Sequence, residues 1–142
     1  LRTRMMGANI LVDAHIQVSP RLSVSEGHHI AETVEYTLKG RVENMQDVTI
    51  HIDPEDDEEA PLNSHLPLRS ELLAQIQPQW SHIQSAALIK EIKLHYLAGK
   101  VAIELTLPLP EGGSSEAKKI QAAFAEVAEN HDLLAAFEVS FE

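Results

Sequence analysis

Apolar and polar residues alternate in two stretches of the first half of the chain. The first stretch runs from Ile10 to Val18, and the second from Val48 to Asp53. A period of two places successive side chains on opposite faces of a strand. Each stretch therefore predicts a strand with one apolar and one polar face. Residues 1–4 indicate the end of an earlier strand, joined to the first stretch by a hairpin loop.

A helix is predicted between these two strands. Ser23 or Ser25 is suited to cap it, and Glu26 stands three residues after Ser23, as in a capping box. Apolar residues recur one turn apart, and Gly40 is expected to end the helix near Lys39. The first half therefore has the predicted order β-β-α-β. The predicted apolar stripe consists of Ile30, Val34 and Leu38.

The second half predicts the order α-β-β-α-β. A helix starts near Leu68, is interrupted by Pro78 and resumes as far as Ala87. Two strands joined at Gly99 follow, and then a helix capped by Ser114 or Ser115. A final strand alternates between apolar and polar residues up to residue 142.

The two halves have the same element order if the opening helix of the first precedes Leu1, and residues 25–30 parallel residues 115–120 without gaps. We therefore predict a tandem duplication of an α+β, ferredoxin-like or metallochaperone-like αββαβ sandwich, whose first copy lacks its N-terminal helix. The predicted domains are residues 1–57 and 68–142, joined by an acidic, proline-containing linker at 58–67. The linker carboxylates are interpreted as a solvated charge run.

Charge and composition exclude several functions. The 142 residues contain 22 acidic and 11 basic side chains, for a net charge of −11, which disfavours nucleic acid and anionic membranes as partners. No stretch approaches the roughly 20 apolar residues of a membrane-spanning helix, so no membrane insertion by this segment is expected. The chain lacks an initiator methionine, which suggests a segment of something longer. With no cysteine, only oxygen and imidazole ligands are available to a metal.

Histidine is frequent, with eight residues, and four polar groups share one predicted sheet face. Asp13 and His15 lie on the polar face of one strand, and His51 and Asp53 on that of another. Imidazole and carboxylate groups together suit zinc, cobalt or nickel, although each residue alone could be an ordinary surface residue. His28 and His29 open the predicted helix, on the opposite side of the sheet. No scaffold for catalysis is recognisable, so an enzyme is not expected.

Four segments, at residues 1–7, 12–20, 23–35 and 47–55, together resemble the cytoplasmic C-terminal domain of cation diffusion facilitators. This cation-efflux family exports zinc, cobalt, cadmium, iron and manganese. The resemblance covers residues 1 to about 57. It implies a regulatory domain on the cytoplasmic side of an integral membrane transporter. This domain is expected to dimerise and to bind a divalent metal, with Zn²⁺ as the leading candidate, and metal binding is expected to favour transport. The partners implied are a second copy, or the second repeat as a pseudo-dimer partner, and the transmembrane domain of the same protein.

The resemblance implies metal ligands at His15, His28, His51 and Asp53, with Asp13 and His29 as substitutes. The second repeat departs from this pattern, since Glu104, Lys118, Glu138 and Ser140 stand at the matching positions. It is therefore not expected to bind metal in the same way. The alternative interpretation is a tandem ferredoxin-like module that binds a small effector or a protein partner and has no metal role.

Overall fold

The structure is a computed structural model that describes residues 1–56 and 59–142. The chain forms two compact units, Leu1–Glu59 and Ala60–Glu142. Each unit has its own three-stranded sheet and its own cluster of buried apolar residues. The predicted end of the first domain and the predicted start of the linker fall on residues 57 and 58, outside the described residues.

The first unit has the order β-β-α-β. Its central strand β2 is antiparallel to β1 and parallel to β3, so the helix α1 makes the crossover between two parallel neighbours. Gly7, with φ +65°, supplies the left-handed residue of the β1–β2 turn. The elements are β1 Arg2–Met6, β2 Asn9–Gln17, α1 Val24–Arg41 and β3 Met45–Asp53.

The capping box predicted at the start of α1 is present, with Ser23 as the cap. The Ser23 hydroxyl accepts from the backbone N–H of Glu26 at 3.2 Å, and the Glu26 carboxylate accepts from the backbone N–H of Ser23 at 3.0 Å. The predicted end at Gly40 is wrong. The helix continues to Arg41, and the N–H of Val42 still bonds to the carbonyl of Leu38.

Helix α1 lies close against β3. A Cβ atom on Gly27 would approach Ile52 to 3.3 Å, so only glycine lets the helix come this near without displacing its neighbour. Val12, Ala14 and Val48 form the buried core of this unit. The apolar stripe of α1 is only half-buried. The inner face of the first sheet is therefore partly exposed, as the 80% exposure of Met5 also indicates.

The second unit repeats this topology with one helix more. Strand β5 is antiparallel to β4 and parallel to β6, and α3 makes the crossover. The expected α+β, duplicated ferredoxin-like fold class is thus confirmed. The elements are α2 Arg69–Trp80, a 3₁₀ helix Gln84–Leu88, β4 Glu91–Leu97, β5 Lys100–Leu107, α3 Gly113–Glu129 and β6 Leu134–Phe141.

Two details of the second unit differ from the expectation. Pro78 does not interrupt α2, because it lies in the last turn, where its missing N–H costs one helical bond at most. Neither Ser114 nor Ser115 caps α3. The helix starts after Gly112, which has no side chain to cap the first turn, and the Gly112 N–H donates to the carboxylate of Glu116 at 2.6 Å.

The second unit has a substantial core. Thirteen buried apolar residues from α2, β5, α3 and the neighbouring segments form one cluster. Residues of the predicted linker take part in it. Leu66 is buried, and the Asn63 side chain bonds to the backbone of Tyr96 and Gly99 in the β4–β5 hairpin. In the described part of the chain, no helix combines the length and apolar character needed to cross a membrane.

Candidate metal centre

Two histidines face each other on neighbouring strands of the first sheet. His15 of β2 and His51 of β3 are register partners, and parallel pairing puts both side chains on the same face. Val12, Ala14 and Val48 occupy the opposite, helix-covered face. The two imidazole rings are stacked, with centroids 4.6 Å apart and planes 12° from parallel. The predicted polar face thus places the two imidazoles side by side.

Asp13 completes a group of three potential ligands. One oxygen of Asp13 and one nitrogen from each of His15 and His51 all lie within 4.8 Å of one another. The Oδ1 atom of Asp13 is 3.0 Å from Nε2 of His51, yet these atoms do not form a well-directed hydrogen bond. This buried oxygen has no hydrogen-bond partner among residues 1–56 and 59–142. A buried carboxylate oxygen without a donor is suited to accept a cation.

Asp53 holds one of the imidazoles in place. Nδ1 of His15 donates to Oδ2 of Asp53 at 2.7 Å, and the Asp53 side chain is only 18% exposed. Because an ionised carboxylate can only accept, this hydrogen bond leaves Nε2 of His15 as the basic nitrogen. Asp53 is therefore placed to orient a ligand, in the manner of the carboxylates that support metal-binding histidines.

The two helix histidines lie outside this group. His28 is exposed, and its Nε2 is 3.3 Å from the Glu32 carboxylate one turn further along α1. It does line the same surface groove as His51, a groove of about 500 Å³ between the start of α1 and β3. His29 is exposed on α1. The start of the helix thus reaches the β3 edge, but neither histidine joins Asp13, His15 and His51.

The three grouped side chains fit a divalent metal in type and nearly in spacing. Ligand atoms around a tetrahedral zinc ion lie roughly 3.3 Å apart, given zinc–ligand distances of about 2.0–2.2 Å. The three ligand atoms lie within 4.8 Å of one another, so they would have to move closer together to hold a tetrahedral ion. Three protein ligands leave the fourth position of a tetrahedral ion open.

The matching positions of the second sheet carry a different chemistry. Counted from the two-residue turn and the bulge of each sheet, His15 corresponds to Thr106 and His51 to Ser140, so the alignment with Glu104 and Glu138 predicted from the sequence is wrong. Thr106 and Ser140 are register partners, with their hydroxyl oxygens 3.4 Å apart. Glu104 corresponds to Asp13 instead. Glu104 contacts Nζ of Lys93 at 3.6 Å and Nε2 of His95 at 3.3 Å. Among the described residues, Asp13, His15 and His51 form the one group with metal-ligand spacing.

The ligands expected from the sequence differ from the group of residues that the structure brings together. Asp13 was expected only as a substitute ligand, and His28 as a principal one. The strand alternation already placed Asp13 on the same face as His15. The family resemblance, however, implied His28 of the helix as a principal ligand and Asp13 only as a substitute. The signal for Asp13 was therefore present, as a polar residue two positions before a histidine on the same strand face.

The fold and this group of residues define a small α+β domain with an imidazole and carboxylate cluster on its open sheet face. Residues 1–55 match the family model described as the cytoplasmic domain of cation efflux proteins. This match confirms the resemblance predicted from the sequence, over residues 1–55 of the first unit. No solved structure matches the chain.

Curated relatives agree with this assignment. Metal tolerance protein C1 of Arabidopsis thaliana is 28% identical over 140 residues, covering 89% of this chain and 29% of that protein. Metal tolerance protein 2 of Oryza sativa subsp. japonica is 42% identical over 52 residues, covering 37% and 13%. The uncharacterized transporter YdbO of Bacillus subtilis (strain 168) is 32% identical over 56 residues, covering 39% and 19%. The chain spans less than a third of the length of each relative.

Proposed function

We propose that the chain is a regulatory and dimerisation segment of a divalent-cation efflux transporter, on the cytoplasmic side of the membrane, and that its first unit binds a divalent metal, zinc first. The observation that carries this proposal is the grouping of the Asp13 carboxylate with two stacked imidazoles, where Oδ1 of Asp13 lies 3.0 Å from Nε2 of His51 without a well-directed hydrogen bond. Zinc takes nitrogen and oxygen ligands of these types, and cobalt, nickel, cadmium, iron or manganese are the alternatives.

Within this proposal each residue has a definite role. His15, His51 and Asp13 are the metal ligands, and Asp53 orients His15 through the 2.7 Å hydrogen bond. His28 lies across a shared groove from His51 and is proposed as a further ligand, with the adjacent His29 as its substitute. Bound metal favours one arrangement of the domain only if its ligands converge better in that arrangement.

A second copy of the chain is the proposed partner. The first unit buries few apolar residues of its own, and a domain of about 60 residues gains from burial supplied by association. An ion held by Asp13, His15 and His51 can take its fourth ligand from His28, from water or from the second copy. In the competing arrangement, the second unit takes the place of the second copy as a built-in pseudo-dimer partner. The transmembrane part of the same protein is the other proposed partner.

The decisive experiment is calorimetric titration of the chelator-stripped chain with zinc at neutral pH. We expect saturable binding at about one ion per chain with micromolar or tighter affinity. His51→Ala removes a ligand and should weaken binding at least about tenfold. Asp53→Asn removes only the orienting charge and should weaken zinc binding by about tenfold.

His82→Ala is the matched control, because His82 is an exposed histidine of the second unit. It should leave both the affinity and the stoichiometry unchanged. Unchanged affinity in His51→Ala would sink the metal assignment, and so would an equal loss in His82→Ala.

A second candidate function is favoured by an apolar groove in the second unit. This groove, of about 730 Å³, lies between the 3₁₀ helix and α3, and its size is that of small-molecule sites. Leu88 and Leu109 line it and are largely exposed. A module that binds a small effector or a protein partner there would keep its binding after chelation, which separates this candidate from the metal-dependent one.

A further inference from the structure

A basic residue lies beside the candidate metal centre, on the open face of the first sheet. We propose that Arg2 competes with a bound cation for the carboxylate of Asp13 and thereby lowers the affinity of the site for a divalent metal. The proposal rests on the proposed function, because it concerns the same site and states what sets the metal concentration at which that site fills.

The strand register places Arg2 next to the carboxylate of the group. Arg2 of β1 is the register partner of Asp13 of β2, so both side chains project from the same face of the sheet. Side chains directly opposite each other in an antiparallel pair have Cβ atoms about 4.5–5.5 Å apart, within reach of a guanidinium group. Arg2 also lines a groove of about 370 Å³ together with His15 and Asp53.

The guanidinium group of Arg2 is not held by another partner. In the described part of the chain it makes no ion pair, although Glu55 and Asp56 line the same groove. Asp13 directs its Oδ1 atom to Nε2 of His51, at 3.0 Å, and not to the arginine. An arginine side chain keeps its charge in proteins and can only donate hydrogen bonds. Arg2 is therefore available to pair with Asp13 when no cation is bound.

The second sheet has the same pair of positions, and there the contact is made. Counted from the two-residue turn, Lys93 of β4 corresponds to Arg2, and Glu104 of β5 corresponds to Asp13. The Nζ atom of Lys93 lies 3.6 Å from the Glu104 carboxylate. The arginine side chain is at least as long as that of lysine, so Arg2 can make the same contact with Asp13.

The charge of Arg2 opposes a bound ion in two ways. A contact between Arg2 and Asp13 must be broken before the carboxylate can bind a metal. A guanidinium group that has moved aside still repels a divalent cation, because it stays within about one Debye length of the group. Both effects lower the affinity without removing a ligand. The site then fills only at a higher metal concentration than its ligands alone would set.

The test compares two arginines of the same strand. Zinc is titrated into the chelator-stripped full chain in competition with a fluorescent chelator. Arg2→Gln should tighten zinc binding at least about threefold relative to the unaltered chain. Arg2→Lys keeps the charge and should stay within about twofold of the unaltered chain.

Arg4→Gln is the matched control, because the change in net charge is identical. Arg4 lies on the same face but opposite Leu11, about 7 Å further along the strand. It should tighten zinc binding by less than about 1.5-fold. The gain in Arg2→Gln should also shrink as sodium nitrate is raised from about 0.05 to about 0.5 M, because the Debye length falls from roughly 14 to roughly 4 Å.

The proposal is overturned if Arg2→Gln binds zinc no more tightly than the unaltered chain, if Arg4→Gln gains as much, or if salt leaves the gain unchanged. Far-UV circular dichroism checks that each variant is folded, and Arg2→Ala replaces Arg2→Gln if the latter does not fold. Zinc binding by the unaltered chain without a gain in Arg2→Gln overturns only the role of Arg2. No zinc binding by either chain overturns the metal assignment as well.

Discussion

One helix lies on the three-stranded sheet of the first unit, whereas two helices cover the sheet of the second. The strand order and the direction of each strand are the same in both. Yet three apolar residues are buried in the first core and thirteen in the second, among the residues described. Equal topology therefore does not give equal burial, because each helix contributes its own apolar face.

The unit with the smaller core is the one that carries the candidate metal centre. A ligand that binds only the folded state adds to its stability. A weakly buried sheet gains proportionally more from a bound ion than a well-packed one. The second unit has a core of thirteen buried apolar residues, among the residues described, and needs no such addition. The comparison thus predicts that a bound ion stabilises the first unit proportionally more than it would stabilise the second.

The largest expected effect comes from the core of the second unit. The Phe124 ring is fully buried and packs edge-on against Trp80, with centroids 5.9 Å apart. Phe124→Ala should lower the free energy of unfolding by about 3–5 kcal/mol through lost burial and a residual cavity. Urea unfolding followed by Trp80 fluorescence measures this directly, because Trp80 is the chain's only tryptophan and lies in this unit.

The corresponding change in the first unit is Val48→Ala, which removes two methyl groups from its small core. It should cost roughly 1–2 kcal/mol, seen in far-UV circular dichroism. The two cores would not be independent if Val48→Ala lowered the free energy of unfolding measured by Trp80 fluorescence as much as Phe124→Ala does.

The next effect concerns the two crossover helices, which start differently. Ser23 caps α1 with its hydroxyl, whereas no serine hydroxyl caps α3. Ser23→Ala should therefore cost about 1 kcal/mol of stability, and Ser115→Ala less than about 0.5 kcal/mol. Urea unfolding by far-UV circular dichroism compares the two variants. Equal costs would mean that the capping geometry does not distinguish the helices.

These helix ends also show which features of the fold could be predicted from the sequence. Strand faces were predictable because a period of two needs no tertiary information, and they brought Asp13, His15 and His51 to one face. The start of α3 was not predictable in this way. Ser114 and Ser115 next to Glu116 suggest a serine cap, whereas in the structure Glu116 accepts from the N–H of Gly112 and no serine caps the helix. The pairing of His15 with His51 depends on the register between the parallel strands β2 and β3, which the alternation of residues along each strand does not specify.

The smallest effect is a pH dependence confined to the first unit. The backbone N–H of Ser23, at 3.0 Å, and its hydroxyl, at 2.9 Å, hold the pKa of Glu26 below its ordinary value of 4.5. Because the folded state favours the ionised carboxylate, this contribution is fully present above pH 4.5 and is lost as the pH falls through the lower, folded-state pKa.

Glu26→Gln removes the titrating group and should therefore destabilise the chain at neutral pH but not in acid. Thermal unfolding by far-UV circular dichroism between neutral pH and about pH 3 measures how this difference shrinks. Glu43→Gln, an exposed glutamate of the same unit, controls for the change in net charge and should show a flatter difference. A constant difference in Glu26→Gln at all pH values would show that the capping box acts through its shape and not its charge. The two helix starts would then differ only in the Ser23 hydroxyl, which has no counterpart at the start of α3.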